Sequence, residues 1–372
     1  MRYDVLVVGA GFAGSVCAER LARAGRTVLI IDKRDHIGGN AYDRLDAAGV
    51  RIHPYGPHIF HTQSARILDY LSRFTAWRPY EHRVRARVAG LDVPFPINRV
   101  TLEAVFGVKL DEAGAVALLD SVRVSRERIL TSEDVVLTSV GERLADLFFR
   151  NYTRKQWGLE LDQLSPGVAA RIPTRANDDD RYFTDAHQVM PRDGYATLFA
   201  NLLDHPNITI ALETDFHNID ARTQRDWTIY TGPIDAYFGC AEGPLPYRSL
   251  RFDHVHLPDE TQFQPVGTVN YPGPEPFTRI TEFKHLTGQD HPGTSIVYEH
   301  PQDEGDPYYP IPRPENAALY GRYRALAQAT ARTSFVGRLA EYKYFNMDQA
   351  VGSALASVDH LLNAAHAAQV AL

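Results

Sequence analysis

Residues 5–14 read VLVVGAGFAG, an apolar run that leads directly into the pattern Gly-x-Gly-x-x-Gly. This order predicts a short buried strand over residues 3–8, a tight turn, and a helix over residues 12–24. The β-branched run at residues 27–31 predicts a second strand after the helix. We interpret the stretch as a strand–helix–strand unit of a parallel sheet.

The glycines of this unit, and the acid that ends its second strand, each have a physical role. Gly9 allows the tight turn, Gly11 lets the backbone approach a pyrophosphate, and Gly14 permits close packing of helix on strand. The helix N-terminus offers N–H groups and partial positive charge to phosphates. Asp32 is placed to accept hydrogen bonds from a ribose. Together these features favour a dinucleotide site over a turn that is merely structural.

The residues after Asp32 indicate the kind of dinucleotide. Gly38 and Gly39 come soon after this acid, and this second glycine pair resembles the extended FAD signature of amine-oxidase-like flavoproteins. No second Gly-x-Gly-x-x-Gly pattern occurs in the sequence, so a separate nicotinamide-binding domain is not expected. Near the other end, a helix from about Gln349 could direct its positive N-terminus at reduced flavin, or Asp348 could simply cap that helix.

The composition is that of an ordinary globular protein, with 372 residues, 44% of them hydrophobic and 23% charged. A formal net charge of −7 without a long basic run argues against general nucleic-acid binding, which needs clustered Lys and Arg. The sequence lacks a signal-peptide pattern and an apolar run of the roughly 18 residues that a membrane span needs. Two cysteines, Cys17 and Cys240, fit a reducing compartment. We therefore expect a cytoplasmic protein without nucleic-acid or membrane partners.

The order of predicted elements indicates an α/β protein. Its Rossmann-type FAD-binding domain is built from N- and C-terminal segments, with a helical domain and an antiparallel β-sheet domain inserted. The expected boundaries are 1–80 plus about 200–240 and 330–372 for the FAD domain, about 100–163 for the helical domain, and about 81–99, 164–199 and 241–329 for the sheet domain and a mobile loop.

Seven further segments, in order along the chain, carry a likeness to one family. They are KRDHIGGNAY (33–42), YGPHIFHT (55–62), YTRKQWG (152–158), RIP (171–173), YTGPID (230–235), YYP (308–310) and GRLAEYKY (337–344). With these segments the chain resembles the bacterial UDP-galactopyranose mutases along nearly its whole length.

The resemblance implies a redox-neutral ring contraction of UDP-galactopyranose to UDP-galactofuranose, which supplies galactofuranose for cell-surface polysaccharide. It implies that N5 of reduced FAD attacks the anomeric carbon as a nucleophile, and that UDP leaves and returns. A flavin–sugar iminium intermediate lets the ring open and reclose in between. The absence of a Ser/His/Asp or Cys/His nucleophile pattern agrees with a nucleophile supplied by the cofactor. The family precedent also implies a homodimer.

The resemblance also implies the residues of the site. Arg171, on the mobile loop, and Arg279 would bind the diphosphate, as planar forks that donate to two oxygens together. The implied catalytic residues are Arg171, Arg279 and His61. The implied FAD contacts are Gly9, Gly11, Phe12, Gly14, Asp32, Lys33, Gly39, Asn40, His58, Ile59, Arg338, Met347, Asp348 and Gln349. The implied substrate contacts are His82, Phe148, Tyr152, Thr153, Trp157, Arg171, Tyr182, Asn270, Arg279, Tyr309, Tyr344 and Asn346.

Within that set, Tyr152 would stack on uracil and Trp157 would lie close to the sugar. His82 aligns with an asparagine of relatives, and Asn346 stands where some relatives carry aspartate. Helical spacing alone favours a core stripe for Tyr152, Trp157 and their aromatic neighbours.

Three other interpretations can be weighed from the residues. The histidines at 53, 58 and 61 fit no common zinc spacing, so we expect no metal. A redox flavoenzyme of the amine-oxidase-like class is the alternative function, although its site is usually an apolar cage. A non-catalytic flavin or UDP-sugar sensor would bind both ligands without converting either.

Overall fold

The computed structural model describes residues 2–219 and 223–370. The strands are β1 (Arg2–Val8), β2 (Val28–Ile31), β3 (Arg44–Leu45), β4 (Arg51–Ile52), β5 (Phe60–Thr62), β6 (Trp77–Pro79), β7 (Val84–Val88), β8 (Leu91–Phe95), β9 (His187–Pro191), β10 (Ile208–Ala211), β11 (Gln224–Tyr230), β12 (Tyr247–Leu257), β13 (Thr268–Asn270), β14 (Arg279–Glu282), β15 (Thr294–Gln302), β16 (Tyr309–Pro310) and β17 (Thr333–Phe335). The helices are α1 (Phe12–Arg23), α2 (Ala65–Leu71), α3 (Arg99–Phe106), α4 (Glu112–Val122), α5 (Ser132–Leu144), α6 (Asn151–Trp157), α7 (Tyr195–Leu203), α8 (Ile234–Tyr237), α9 (Phe283–Thr287), α10 (Pro314–Ala329) and α11 (Met347–Val370).

A parallel sheet holds the nucleotide-binding pattern. Among the described residues its strands run in the order β10-β2-β1-β11-β17, and every pairing is parallel. Residues 5–8 of β1 and the whole of β2 are continuous apolar runs because helices cover the sheet, and α1 packs between β1 and α11. The predicted strand–helix–strand unit and the α/β class with a Rossmann-type domain are confirmed.

The turn between β1 and α1 is set by backbone contacts that exclude side chains. Gly9 has φ +98°, which favours glycine. A Cβ on Gly14 would overlap the carbonyl oxygen of Gly9, and it would lie 3.1 Å from Cγ1 of Val7. A Cβ on Gly39 would lie 3.0 Å from Cα of Gly11. The two glycine segments therefore form a bare backbone cradle at the N-terminus of α1.

A second, seven-stranded sheet has the order β16-β12-β15-β14-β13-β7-β8 and is antiparallel except for the β13–β7 pair. The helical segment of residues 99–157 packs against one end of this sheet. There Val84 and Phe95 of the sheet share a core with Val140 and Phe148 of the helical segment. This packing brings the aromatic residues of α6 towards the strands that carry Arg279.

Some local expectations differ from the structure. Residues 38–62, for which the sequence analysis above predicts no strand, include the short strands β3, β4 and β5, and β5 pairs with the distant β9. The closing helix begins at Met347, two residues before the expected start. Strand pairing with a distant partner leaves no local pattern in so short a segment, so the sequence could not predict it.

No helix in residues 2–219 or 223–370 combines the length and the apolar composition that crossing a bilayer needs.

The close contact at Gly14 predicts that adding one methyl group there impairs both flavin binding and stability. Gly14→Ala should abolish flavin retention and lower the thermal midpoint, because the helix must move away from the strand. Gly321→Ala is the control, since Gly321 lies in α10, where a Cβ meets nothing within 4 Å. This control should be neutral or stabilising by up to about 1 kcal/mol. Flavin absorbance and thermal melts measure both variants, and a G14A protein with full flavin content would contradict the prediction.

Candidate active site

One cavity of about 770 Å³ is walled by the strands β7, β13, β14 and β15, by α6 and by the segment before α11. Every side chain that the resemblance implies for substrate lines this cavity, together with His61. These residues are His82, Phe148, Tyr152, Thr153, Trp157, Arg171, Tyr182, Asn270, Arg279, Tyr309, Tyr344 and Asn346. A volume of this size is typical of a pocket for a small-molecule ligand.

The implied FAD residues fall into two sets. Those that line the cavity are Asn40, His58, Ile59, Arg338, Met347 and Gln349. Those outside it are Gly9, Gly11, Phe12, Gly14, Asp32, Lys33, Gly39 and Asp348. The second set belongs mainly to the glycine cradle and the end of β2, so the two sets mark two ends of an elongated site.

Several side chains of the second set already have protein partners. The ring of Phe12 packs 4.7 Å from that of Phe199 in the core, which leaves only its backbone for a ligand. Lys33 forms an ion pair with Asp306 at 3.0 Å and points to the surface. Asp348 accepts hydrogen bonds from Thr62 Oγ1 at 2.9 Å and from the amide of the next residue. That carboxylate thus accepts one free amide within the first turn of α11, which begins one residue earlier at Met347.

The residues present fit a flavin dinucleotide. Asp32 accepts from the amides of Ala10 and Arg34 at 2.8 and 3.0 Å, which fixes its carboxylate beside the glycine cradle. At the cavity end Arg338 has no ion pair with any described residue, and burial lowers its pKa. Four tyrosines surround it, and the Tyr309 ring lies 6.0 Å away. A buried cation without an acidic partner is suited to an anionic ligand.

Arg279 is held in place by two groups that sequence reasoning did not connect. Its Nη2 donates to the hydroxyl of Tyr152 at 2.9 Å, and its Nε lies 3.4 Å from Oε1 of Glu299. Burial raises the pKa of Glu299, and the charge of Arg279 offsets only part of this rise. The guanidinium is therefore positioned by a phenol and a carboxyl. It does not form a bidentate ion pair with Glu299, so some of its N–H groups can still donate to a ligand.

Arg171 reaches the same cavity from the loop before β9. Its Nη1 donates to the carbonyl of Tyr344 at 3.2 Å, its Nη2 donates to the side chain of Asn346, and its guanidinium lies 4.0 Å from the centre of the Tyr344 ring. Both Arg171 and Arg279 act electrostatically on the phenol of Tyr182. The two cations thus approach one cavity from segments far apart in sequence.

The aromatic residues near α6 both pack in the core and line the cavity. Phe148 is buried and stacks on Phe95 at 6.1 Å, so it belongs to the core as well as to the cavity wall. Trp157, Tyr309 and Tyr344 form a cluster whose ring centres are 5.2 to 6.0 Å apart.

The comparisons with known proteins agree with this site. The family model described as UDP-galactopyranose mutase matches residues 147–344, and the one described as NAD(P)-binding Rossmann-like domain matches residues 7–74. A Klebsiella pneumoniae protein named "Probable UDP-galactopyranose mutase" is 38% identical over 97% of this chain and 95% of its own. A dTDP-fucopyranose mutase of Escherichia coli is 34% identical over 94% of this chain and 96% of its own.

This chain belongs to the UDP-galactopyranose mutase family. The crystal structure of a reduced UDP-galactopyranose mutase superposes with a TM-score of 0.78 and 18% identity, covering 97% of this chain and 96% of the other, which supports the fold. The Rossmann-like dinucleotide domain matched in this chain, with the cradle at Gly11 and Gly39, supports a flavin cofactor.

Three histidines in and near the cavity are held in the neutral form by burial. Burial lowers the pKa of His53, His58 and His82 to about 3, so all three are neutral near pH 7. His53 lies in the core, and its Nδ1 accepts the amide of His58 at 3.1 Å. His82 lines the cavity and has Nδ1 3.1 Å from the hydroxyl of Tyr80. Over the described ranges no group of three or more His, Cys, Asp or Glu side chains could hold a metal ion.

Sequence reasoning did not single out Asp185 and Glu299, which line the cavity, or Tyr80, whose hydroxyl contacts His82. The sequence did contain a sign of the role of Glu299, because a lone acidic residue in the apolar strand β15 is unusual. Asp185 had none, since it follows a loop that already contains three other aspartates.

The buried His53 predicts acid sensitivity. The unfolded chain binds a proton to this ring below about pH 6.5, whereas the folded protein does so only near pH 3. Stability is therefore complete above about pH 6.5 and decreases as the pH falls. Between pH 7 and 5 this group should cost about 2 kcal/mol of unfolding free energy.

Urea unfolding at both pH values measures this effect. His53→Asn keeps an acceptor for the His58 amide, so its stability should fall about 2 kcal/mol less than that of the wild type over the same range. Equal losses in the two proteins would contradict the prediction.

Proposed function

We propose that this protein interconverts UDP-galactopyranose and UDP-galactofuranose without net redox change, on FAD in its reduced state. The single observation that carries the proposal is the convergence of Arg171 and Arg279 on one cavity that the aromatic residues of α6 also line. Membership of the family supports the same substrate class.

The two arginines suit a diphosphate leaving group. Each guanidinium has a polar neighbour, the hydroxyl of Tyr152 for Arg279 and the carbonyl of Tyr344 for Arg171, and each retains donors for phosphate oxygens. The phenol of Tyr182 lies within the field of both cations. Charge that develops on departing UDP would be stabilised there without rearrangement.

The flavin would be held at both of its ends. The backbone at Gly11 and Gly39 would accommodate the pyrophosphate, Asp32 would lie near the ribose, and Arg338 would offer a positive charge to anionic flavin. When bound and reduced, FAD supplies a nucleophilic nitrogen for the anomeric carbon. The protein's own contribution is to orient the sugar, retain the diphosphate and exclude water.

A second substrate should be tested on equal terms, because a relative named dTDP-fucopyranose mutase is 34% identical over 94% of this chain. The apolar end of the cavity, at Val84, Ala86 and Phe95, lies beside Phe148 and could accept the methyl group of thymine. We favour the uridine nucleotide because the more similar relative carries that name.

A cytoplasmic homodimer is part of the same proposal. Family precedent supports the dimer, and two cysteines without a disulfide fit a reducing compartment.

The reaction is tested by incubating dithionite-reduced protein anaerobically with UDP-galactopyranose and, separately, with dTDP-fucopyranose. We expect a new nucleotide-sugar peak of unchanged mass from the uridine substrate, with the flavin still reduced. Turnover coupled to oxygen instead would favour the redox flavoenzyme, and binding without conversion would favour a sensor.

Loss of either arginine should impair turnover selectively. Arg279→Ala or Arg171→Ala should lower kcat/KM by about 10²-fold or more, since a charged hydrogen bond contributes about 1.5–3 kcal/mol. FAD content should not change. Arg154→Ala is the matched control, because Arg154 lies on α6, pairs with Glu160 at 2.7 Å and does not line the cavity. Unaltered kinetics in both cavity variants would remove the arginines from the site.

A further inference from the structure

His61 and Asp185 form a carboxylate–imidazole pair at the edge of the cavity. Nδ1 of His61 lies 2.7 Å from Oδ2 of Asp185, and both residues line the cavity. The imidazole also stacks on Phe183, with ring centres 3.6 Å apart and planes 15° from parallel. One contact fixes the in-plane direction of the ring and the other fixes its plane.

The backbone on both sides of Asp185 is held by side-chain hydrogen bonds. Gln63 bonds both flanking residues, since it donates to the carbonyl of Thr184 at 3.3 Å and accepts the amide of Ala186 at 3.2 Å. Gln188 donates to the carbonyl of Asp185 at 3.2 Å. His61 pairs with Gln188 across β5 and β9. The pair therefore depends on a sheet contact and not on a free loop.

This geometry determines which nitrogen of His61 is available for chemistry. An ionised carboxylate only accepts hydrogen bonds, so the proton of the neutral ring must lie on Nδ1. Nε2 then carries a lone pair, and it has no hydrogen-bond partner among the described residues. His82 is the opposite case, because the hydroxyl of Tyr80 can donate to its Nδ1 and leave the proton on Nε2.

The proposed reaction requires a group that gives and takes one proton. In a pyranose-to-furanose change C1–O5 breaks and C1–O4 forms, so O5 must gain a proton and O4 must lose one. Atoms and charge balance if Nε2, which starts with a lone pair, first takes the proton that the attacking nitrogen would lose on bonding to C1 and then donates it to O5, whose C1–O5 electron pair stays on oxygen. Nε2 would later take the proton of O4 as O4 bonds to C1, and would return it when the attacking nitrogen leaves C1. No oxidant, reductant or co-reactant is then needed.

We infer that Asp185 is a positioning residue that holds Nδ1–H of His61, so that Nε2 of His61 is the site that gives and takes this proton. The inference rests on the proposed function for its substrate. The role of Asp185 resembles that of any buried acid that fixes the tautomer of a catalytic histidine and stabilises its imidazolium.

The test compares Asp185→Asn, His61→Ala and the double variant in the flavin-reduced assay. D185N should lower kcat about 10²-fold, the low end for a positioned acid–base group, and leave KM within about threefold. Adding D185N to H61A should change kcat less than about twofold, because Asp185 acts through His61. Asp180→Asn is the matched control: it lies in the same loop, binds Arg83 at 2.8 Å and does not line the cavity. It should behave like the wild type.

Additive losses in the double variant, a change in KM alone, or wild-type kcat in D185N would overturn the inference. Should D185N fail to retain flavin, Asp185→Glu takes its place, since it keeps the charge but displaces the carboxylate. D185E must then lose kcat in the wild-type background and nothing further in H61A.

A second readout is independent of turnover. The ¹⁵N chemical shifts of His61, assigned with H61A, should report a single tautomer with the proton on Nδ1, and D185N should yield mixed tautomers. A wild-type protein that shows this tautomer but converts neither sugar would defeat the proposed function alone. Mixed tautomers in the wild type would defeat the inference alone.

Discussion

The close approach of α1 to β1 is the constraint on which the rest of the structure depends. At Gly14 the helix lies so near the carbonyl of Gly9 that no side chain fits between them. This contact places the helix N-terminus beside the backbone of Gly39, where phosphate groups can meet unshielded N–H groups. It also fixes the surface of α1 on which α11 packs, and α11 begins directly after the segment that carries Arg338 and Asn346.

From that anchor, the cavity is assembled by elements that have no sequence relation to one another. Arg279 comes from a central strand of the seven-stranded sheet, Tyr152 from the helical layer, and Arg171 from a loop. Each cation is oriented by an aromatic or acidic neighbour before any ligand binds. Such preorganisation limits the reorganisation that binding and charge development would otherwise require.

The electrostatics of the site follow from unequal burial. His58 and His82 are kept neutral by desolvation, whereas Nδ1 of His61 lies 2.7 Å from the carboxylate of Asp185. The imidazoles of one cavity therefore lie in different environments. Arg338, by contrast, is buried without an acidic partner among the described residues. An anionic ligand would supply the opposite charge that a buried guanidinium needs.

The sequence by itself determined the nucleotide-binding unit and the α/β class, and its resemblance to one family pointed to many, but not all, of the polar residues that line the cavity. Each of these inferences depends on features that are local in sequence. They are a glycine where no Cβ fits, an apolar run in a strand, and short family segments that occur in a fixed order along the chain. Only the tertiary structure decided that Glu299 orients Arg279, that Asp185 orients His61, that Lys33 is occupied by Asp306, and that β5 pairs with β9. Each of these joins residues that are from 20 to more than 270 positions apart, and no local pattern records a contact that arises only when separate layers pack together.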